Sequence, residues 1–120
     1  MKRKKLSNTE RQKIYDKCKG HCAYCGCELE YRDIQVDHVV PLRRGGSDDV
    51  DNMLPACRSC NHYKATLTAD EYKEYVSRIP DRLHRDSIPY QVGERFGIIR
   101  SNRDVRFYFE KLLPERSEGE

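Results

Sequence analysis

Two cysteine pairs, Cys22-x-x-Cys25 and Cys57-x-x-Cys60, bracket the part of this chain best equipped for chemistry. A gap of two residues lets both thiolates of a pair face one point. Two such turns supply four soft ligands in a tetrahedron, which suits Zn²⁺ at about 2.3 Å per sulfur. Disulfides or a redox Cys-x-x-Cys are the rival readings, but two separate pairs in a reducing compartment favour metal. A site of four thiolates is closed to water and substrate, so the expected role of this zinc is to fold the protein. Cys18 and Cys27 are left over and read as free thiols, with Cys27 near enough to Cys25 to be an alternative ligand. His21 reads as an exposed side chain.

Between and just after the pairs lie Asp37-His38 and Asn61-His62. Taken singly these residues are ordinary, and a lone His after a strand is commonly a hydrogen-bonded structural residue. Adjacent side chains on a strand point to opposite sides, however, so one of Asp37 and His38 can bind a metal while the other faces a substrate. The second cysteine pair ends at Cys60, which makes Asn61 and His62 the start of a helix pinned by the zinc. A neutral imidazole near physiological pH can take a proton from water. A hard divalent cation on the oxygens of Asp37 and Asn61 can stabilise charge developing on a leaving oxygen. Phosphodiester hydrolysis is the chemistry that suits this set, through electrostatic complementarity rather than a covalent intermediate.

The elements that must position these groups are partly legible. Ser7-Asn-Thr-Glu10 fits a capping box, which predicts a helix from Thr9 to Lys19 ended by Gly20. Cysteines and glycine through Cys27 predict a tight knuckle. Residues 28–36 alternate imperfectly and are expected to include a strand delivering Asp37 and His38. Pro41, Gly45 and Gly46 predict a loop. Met53-Leu54-Pro55-Ala56 reads as a second strand, and a helix is expected from Arg58 towards Lys64. Thr68-Ala-Asp-Glu71 is a second capping box, followed by a Tyr72, Tyr75, Val76, Ile79 stripe at helical spacing that Pro80 should stop. That stripe reads as core packing, with a base-stacking platform as the weaker alternative. Phe96–Arg100 and Val105–Phe109 read as a β-hairpin around Ser101–Asp104.

Bulk properties narrow the class. The chain has 120 residues, 37% apolar and 36% charged, with no Trp. The core it can bury is thin, and such domains usually need a staple. No apolar run approaches the ~20 residues of a membrane span, and Met1-Lys-Arg-Lys-Lys leads into no apolar signal core, which predicts a cytoplasmic protein with no membrane partner. Net charge is +3, concentrated in residues 1–20, where eight Lys and Arg meet two acids. By itself that run is a solvated terminus; on a nucleic-acid enzyme it would be a phosphate-tracking arm.

The combined pattern Cys22-x-x-Cys25-Gly26, Asp37-His38-x-x-Pro41, Gly45-Gly46, Asn52-x-Leu54 and Cys57-x-x-Cys60-Asn61-x-x-Lys64 strongly resembles the HNH endonucleases, the ββα-metal nucleases, over residues 18–66. The resemblance implies His38 as general base. It implies Asn52 as the residue that holds the loop between the strands and orients the strand bearing the base. Asn61 occupies the third named position, so the chain resembles the HNN variant, with Asp37 and Asn61 holding catalytic Mg²⁺ or Mn²⁺. The departure is Asn in place of the family's last His. Its amide oxygen favours hard ions, and His62 one place later is left as a supporting or substrate-facing residue. Lys64 is implied as a phosphate contact or a helix-docking residue. Arg43 and Arg44 are candidates to grip the scissile strand, and equally read as solvated arginines.

The expected architecture is α+β: a small ββα-metal (His-Me finger) core stapled by a Cys₄ zinc site, flanked by an N-terminal helix and by a C-terminal helix plus hairpin. Residues 1–20 form the basic helix, 21–66 the nuclease core, 67–113 an extension of the same domain, and 114–120 a frayed tail. The expected partner is nucleic acid, DNA in the first place. The competing reading is a non-catalytic zinc module that binds nucleic acid, which would have no need of Asp37, His38 and Asn61 together.

Overall fold

A computed structural model describes residues 5–113, so the tail expected at 114–120 lies outside the described residues. The first helix, α1 (Asn8–Asp16), starts at the capping box. Glu10 N donates to the Ser7 hydroxyl, and Ser7 N donates to the Glu10 carboxylate, each at 3.1 Å. It ends at Asp16 rather than Lys19, because Lys19 and Gly20 turn the chain with positive φ of 53° and 82°. Two cations of the basic N-terminal region are occupied by carbonyls of the protein itself. Arg11 donates to Tyr31 O and Ile34 O at 3.1 and 3.2 Å, and the Lys17 ammonium to Val50 O and Met53 O at 2.5 and 2.8 Å.

Strands β1 (Gln35–His38) and β2 (Met53–Ala56) pair antiparallel, with Asp37 opposite Leu54 and His38 opposite Met53. The imperfect alternation before β1 is not strand: Tyr31–Asp33 form a short 3-10 turn. Helix α2 (Arg58–Lys64) follows β2 directly, and its first turn is capped by the Cys57 sulfur, which accepts from Cys60 N at 3.3 Å. The fold is therefore α+β around a ββα core, as the sequence implies. Ile14, Cys18, Ala23, Ile34, Met53, Ala56 and Phe107 are buried in it.

Downstream of the core the chain is helical: α3 (Ala69–Ser77), α4 (Ile79–Asp86), α5 (Ile88–Arg95) and the single turn α6 (Tyr108–Lys111). Pro80 does not end α3, which has already stopped at Ser77. It sits in the first turn of α4, where a missing N–H leaves no hydrogen bond unmade. Pro89 opens α5 the same way, with the Ser87 hydroxyl accepting from Tyr90 N at 3.2 Å.

The expected hairpin over 96–109 does not form. Gly97 turns the chain back at the end of α5, where Ile98 N and Ile99 N both donate to Gly93 O at 2.9 and 3.1 Å. The second half of the supposed hairpin pairs elsewhere, with Tyr108 N donating to Tyr24 O at 3.0 Å and Phe109 N to Ala23 O at 2.8 Å. Strand-like composition supplied a correct tendency to pair and the wrong partner.

The chain divides into two compact units, the described residues up to Ala69 rejoined by those from Arg106, and Asp70–Val105. In the second unit the Arg82 guanidinium lies 4.1 Å over the Tyr75 ring, and Arg103 pairs with Asp81. Among the described residues no helix is long and apolar enough to cross a membrane.

The two glycines between the strands make different demands. A Cβ on Gly46 would meet Val40 O at 1.7 Å and Asn52 Nδ2 at 2.9 Å, whereas Gly45, at φ 89°, has nothing within 4 Å. Gly45→Ala should cost about 1–2 kcal/mol of backbone strain, and Gly46→Ala more than the ~3 kcal/mol that ends the usual overpacking range. Urea midpoints of the two variants check this; equal losses would contradict the close approach at Gly46.

Candidate functional site

The four cysteines of the two knuckles meet. Their sulfurs all lie within 4.8 Å of one another, and Cys25 and Cys57 are 3.8 Å apart. Sulfurs at the corners of a tetrahedron about 2.3 Å from its centre are about 3.8 Å apart. The donor set and its spacing therefore fit a soft, four-coordinate metal ion such as zinc. The local chain is shaped for it. Gly26 takes φ 82° to close the first knuckle, and Ala23 N donates to Pro55 O at 2.8 Å, fastening that knuckle to β2. A Cys60 hydrogen bond, helped by backbone N–H groups, pulls the Cys22 thiol down to about 4, into thiolate. Cys18 is not in the cluster; burial pushes its thiol up to about 11. Cys27 is exposed and also outside the four. His21 is not simply exposed: its ring stacks on Tyr108 with centroids 4.8 Å apart, and Nδ1 lies 3.1 Å from Lys19 O.

β1 divides its two polar residues as strand alternation requires. The Asp37 carboxylate turns inward and is 4% exposed. It accepts from the Tyr24 hydroxyl at 2.5 Å and from the Lys64 ammonium at 3.3 Å on Oδ1 and 3.2 Å on Oδ2. Burial pushes this carboxyl up from its ordinary range, while the Tyr24 hydrogen bond and the Lys64 charge pull it back down. Burial and the Asp37 charge hold the Tyr24 phenol well above its usual value, so it remains a donor. Lys64 is fully buried and also donates to His38 O at 2.8 Å. Of its two implied roles, phosphate contact is closed off, because the ammonium is out of reach of any ligand; the residue docks α2 onto β1.

His38 faces the other way, towards the loop between the strands. Its Nε2 is 2.8 Å from Asp48 Oδ1, and the ring is nearly buried. Asn52 pins that loop. Its Oδ1 accepts from Val40 N at 3.0 Å, and its Nδ2 donates to Val40 O at 2.9 Å and Ser47 O at 2.8 Å. These bonds reach across the loop and hold the end of β1 in place.

A cavity of about 370 Å³ brings Asp37, His38, Asn61 and Arg43 to one place. It is walled by Pro41, Leu42, Ala65 and Thr66. Arg44 lies outside it, with a long bond of 3.4 Å to Thr66 O. His62 is exposed and lines a separate hollow of about 470 Å³ with Arg58 and Ser59. A larger hollow of about 550 Å³ beside α1, lined by residues such as Tyr15, Lys19 and Arg32, contains none of the candidate residues other than His21. The smaller cavity is the chemically coherent one, because Asp37, His38 and Asn61 all line it.

Tyr24 and Asp48 were not legible as site residues. Tyr24 occupies a free position inside a knuckle, and Asp48 sits in a loop with two other acids, Asp49 and Asp51, from which its residue type does not distinguish it. Nothing short of the three-dimensional pairing marks either.

A strand pair closed by a helix, with a histidine on the first strand and cysteine knuckles at both ends, defines a ββα-metal core. Residues 22–66 match the family model of the HNH endonucleases. YoqL, a protein of the SPbeta prophage of Bacillus subtilis (strain 168) named for the HNH endonucleases, is 30% identical over 79 residues, covering 59% of this chain and 34% of its own. The CRISPR-associated endonuclease Cas9 of Corynebacterium diphtheriae is 36% identical over 44 residues, covering 36% of this chain and 4% of that protein. The crystal structure of the Type II-C Cas9 enzyme from Actinomyces naeslundii superposes with a TM-score of 0.52 at 20% identity, covering 86% of this chain and 12% of that one, a likeness of fold. The chain thus spans about a third of YoqL and a small part of either Cas9.

The Lys64–Asp37 pair gives a direct test of how the core is held. Lys64→Ala would leave a buried carboxylate without its cation, an imbalance that costs about 3–5 kcal/mol. Guanidinium denaturation in Mg²⁺-free buffer should show that loss; a change below ~1 kcal/mol, the size expected of an exposed pair, would mean the ammonium reaches solvent.

Proposed function

We propose that this chain is a metal-dependent endonuclease that hydrolyses phosphodiester bonds of nucleic acid, with DNA as the substrate. The observation that carries this reading is that Asp37, His38, Asn61 and Arg43 line one cavity. A nucleic-acid-binding module alone would gain nothing from a buried carboxylate, an amide and an imidazole at one point.

In this reading His38 is the general base that takes a proton from the attacking water. Asp37 and Asn61 hold a Mg²⁺ or Mn²⁺ ion, both offering the hard oxygen donors such ions prefer. When bound, that ion stabilises the negative charge that builds on the phosphate and the departing oxygen. Tyr24 and Lys64 fix the orientation of the Asp37 carboxylate. Asn52 holds the chain just past His38 through both backbone groups of Val40. Arg43, exposed at the rim, is placed to bind a phosphate oxygen of the strand being cut. Zinc in the Cys22, Cys25, Cys57 and Cys60 site is structural, because four thiolates leave no position open for water.

Supercoiled plasmid incubated with purified protein and Mg²⁺ or Mn²⁺ should be nicked or cut. His38→Ala should lose about 10²–10⁴-fold in rate with its urea midpoint retained; unchanged cleavage by that variant refutes the assignment. Elemental analysis should return one zinc per chain. Stripping the ion from the thiolates should abolish the cooperative unfolding transition, whereas removing Mg²⁺ alone should stop cleavage and leave that transition in place.

A further inference from the structure

The proposed base has a partner that the cysteine and HNN patterns do not include. His38 Nε2 lies 2.8 Å from Asp48 Oδ1, with the two side chains 9% and 22% exposed. The contact is not an accident of a loose loop. Asn52 Nδ2 donates to Ser47 O, the residue next to Asp48, and the same amide grips both backbone groups of Val40, two residues past β1. Gly46 allows the loop to pass close to Val40 O, where any Cβ would clash. Imidazole and carboxylate are therefore held to each other from both sides.

The chemistry of the pair settles which ring nitrogen does what. A neutral imidazole has one N–H donor and one lone pair, and a carboxylate only accepts. A contact of 2.8 Å places the N–H on Nε2, since the other tautomer would set a nitrogen lone pair against the carboxylate oxygen. The lone pair is then on Nδ1. We propose that Asp48 is a positioning residue that locks His38 in the Nε2–H tautomer, so that Nδ1 is the atom that accepts the proton from water in the Asp37–Asn61 cavity. This rests on the reading of His38 as a general base. In the step, an O–H bond of water breaks and its proton passes to Nδ1 while the oxygen bonds to phosphorus. The bond from phosphorus to the departing sugar oxygen breaks, and that oxygen takes a proton from solvent. Asp48 stabilises the imidazolium formed, and does not itself bind water or substrate.

Long-range ¹H–¹⁵N correlation spectra of the zinc-loaded chain read the tautomer without any turnover. Of the four histidines, His38 is assigned by the resonance lost in His38→Ala. The wild type should show a protonated Nε2 and a bare Nδ1, and Asp48→Ala a mixture of the two forms. In plasmid cleavage Asp48→Ala should lower kcat about 10- to 100-fold, the range for a lost orienting partner, with KM unchanged and zinc content intact. A wild-type ring protonated on Nδ1 overturns the proposal, and so does an Asp48→Ala variant with the wild-type tautomer or the wild-type kcat. A wild type with the Nε2–H ring that cuts no form of DNA would retire the nuclease reading while leaving the tautomer assignment standing.

Discussion

Lys64 carries its ammonium into the interior and meets there the carboxylate of Asp37 and the carbonyl of His38. Moving a charge out of water costs several kcal/mol, and the low dielectric returns that only if the partners are close and complete. Here they are. Asp37 receives the ammonium and the Tyr24 hydroxyl, and no side-chain polar atom among the described buried residues lacks a partner. The geometry this imposes is sharp, because the ammonium must reach both adjacent residues of β1 at once. Helix α2 can therefore sit on β1 in only one register. Asn61, one turn earlier on the same helix, is placed by that constraint and comes to share a cavity with Asp37 and His38.

The cysteine cluster acts on the same two elements from the other end. Cys57 caps α2 and Cys60 lies in its first turn, while Cys22 and Cys25 come from the knuckle fastened to β2. One end of the short helix is held by sulfur and the other by the buried ion pair. A helix of seven residues has little stability of its own, and this double attachment substitutes for the apolar contact a larger core would provide. The cost falls on the sequence: few of the residues involved can change singly.

What could be read from the chain alone follows the range of the interactions. The α1 cap, β2, α2 and the cysteine quartet depend on neighbours a few residues apart, and each lies close to where local rules put it. The 96–109 segment was misread because its apolar alternation records only that it pairs. Its first half turns back onto Gly93, and the partners of Tyr108 and Phe109 are Tyr24 and Ala23, far away in sequence, which no local rule names. Pro80 and Pro89 were equally ambiguous, since a proline that stops one helix also starts another. At the candidate site, residue types announced Asp37, His38 and Asn61, whereas Tyr24 and Asp48 are defined only by what they touch. Lys64 shows the same limit: phosphate contact and helix docking both stay open until the burial of its end is known.

Residues 107–109 complete the wall around Tyr24, whose ring is met edge-on by Phe107 at 4.9 Å. Between the first knuckle and this wall the chain makes the whole excursion through α3, α4 and α5. Closing so long a loop carries an entropic cost that grows slowly with length, so the thermodynamic burden is small, but the order of events is fixed. During synthesis both cysteine pairs and the histidine emerge well before the segment that seals their hydrophobic side. Until residues 107–109 arrive, that flank of the core stands open to water.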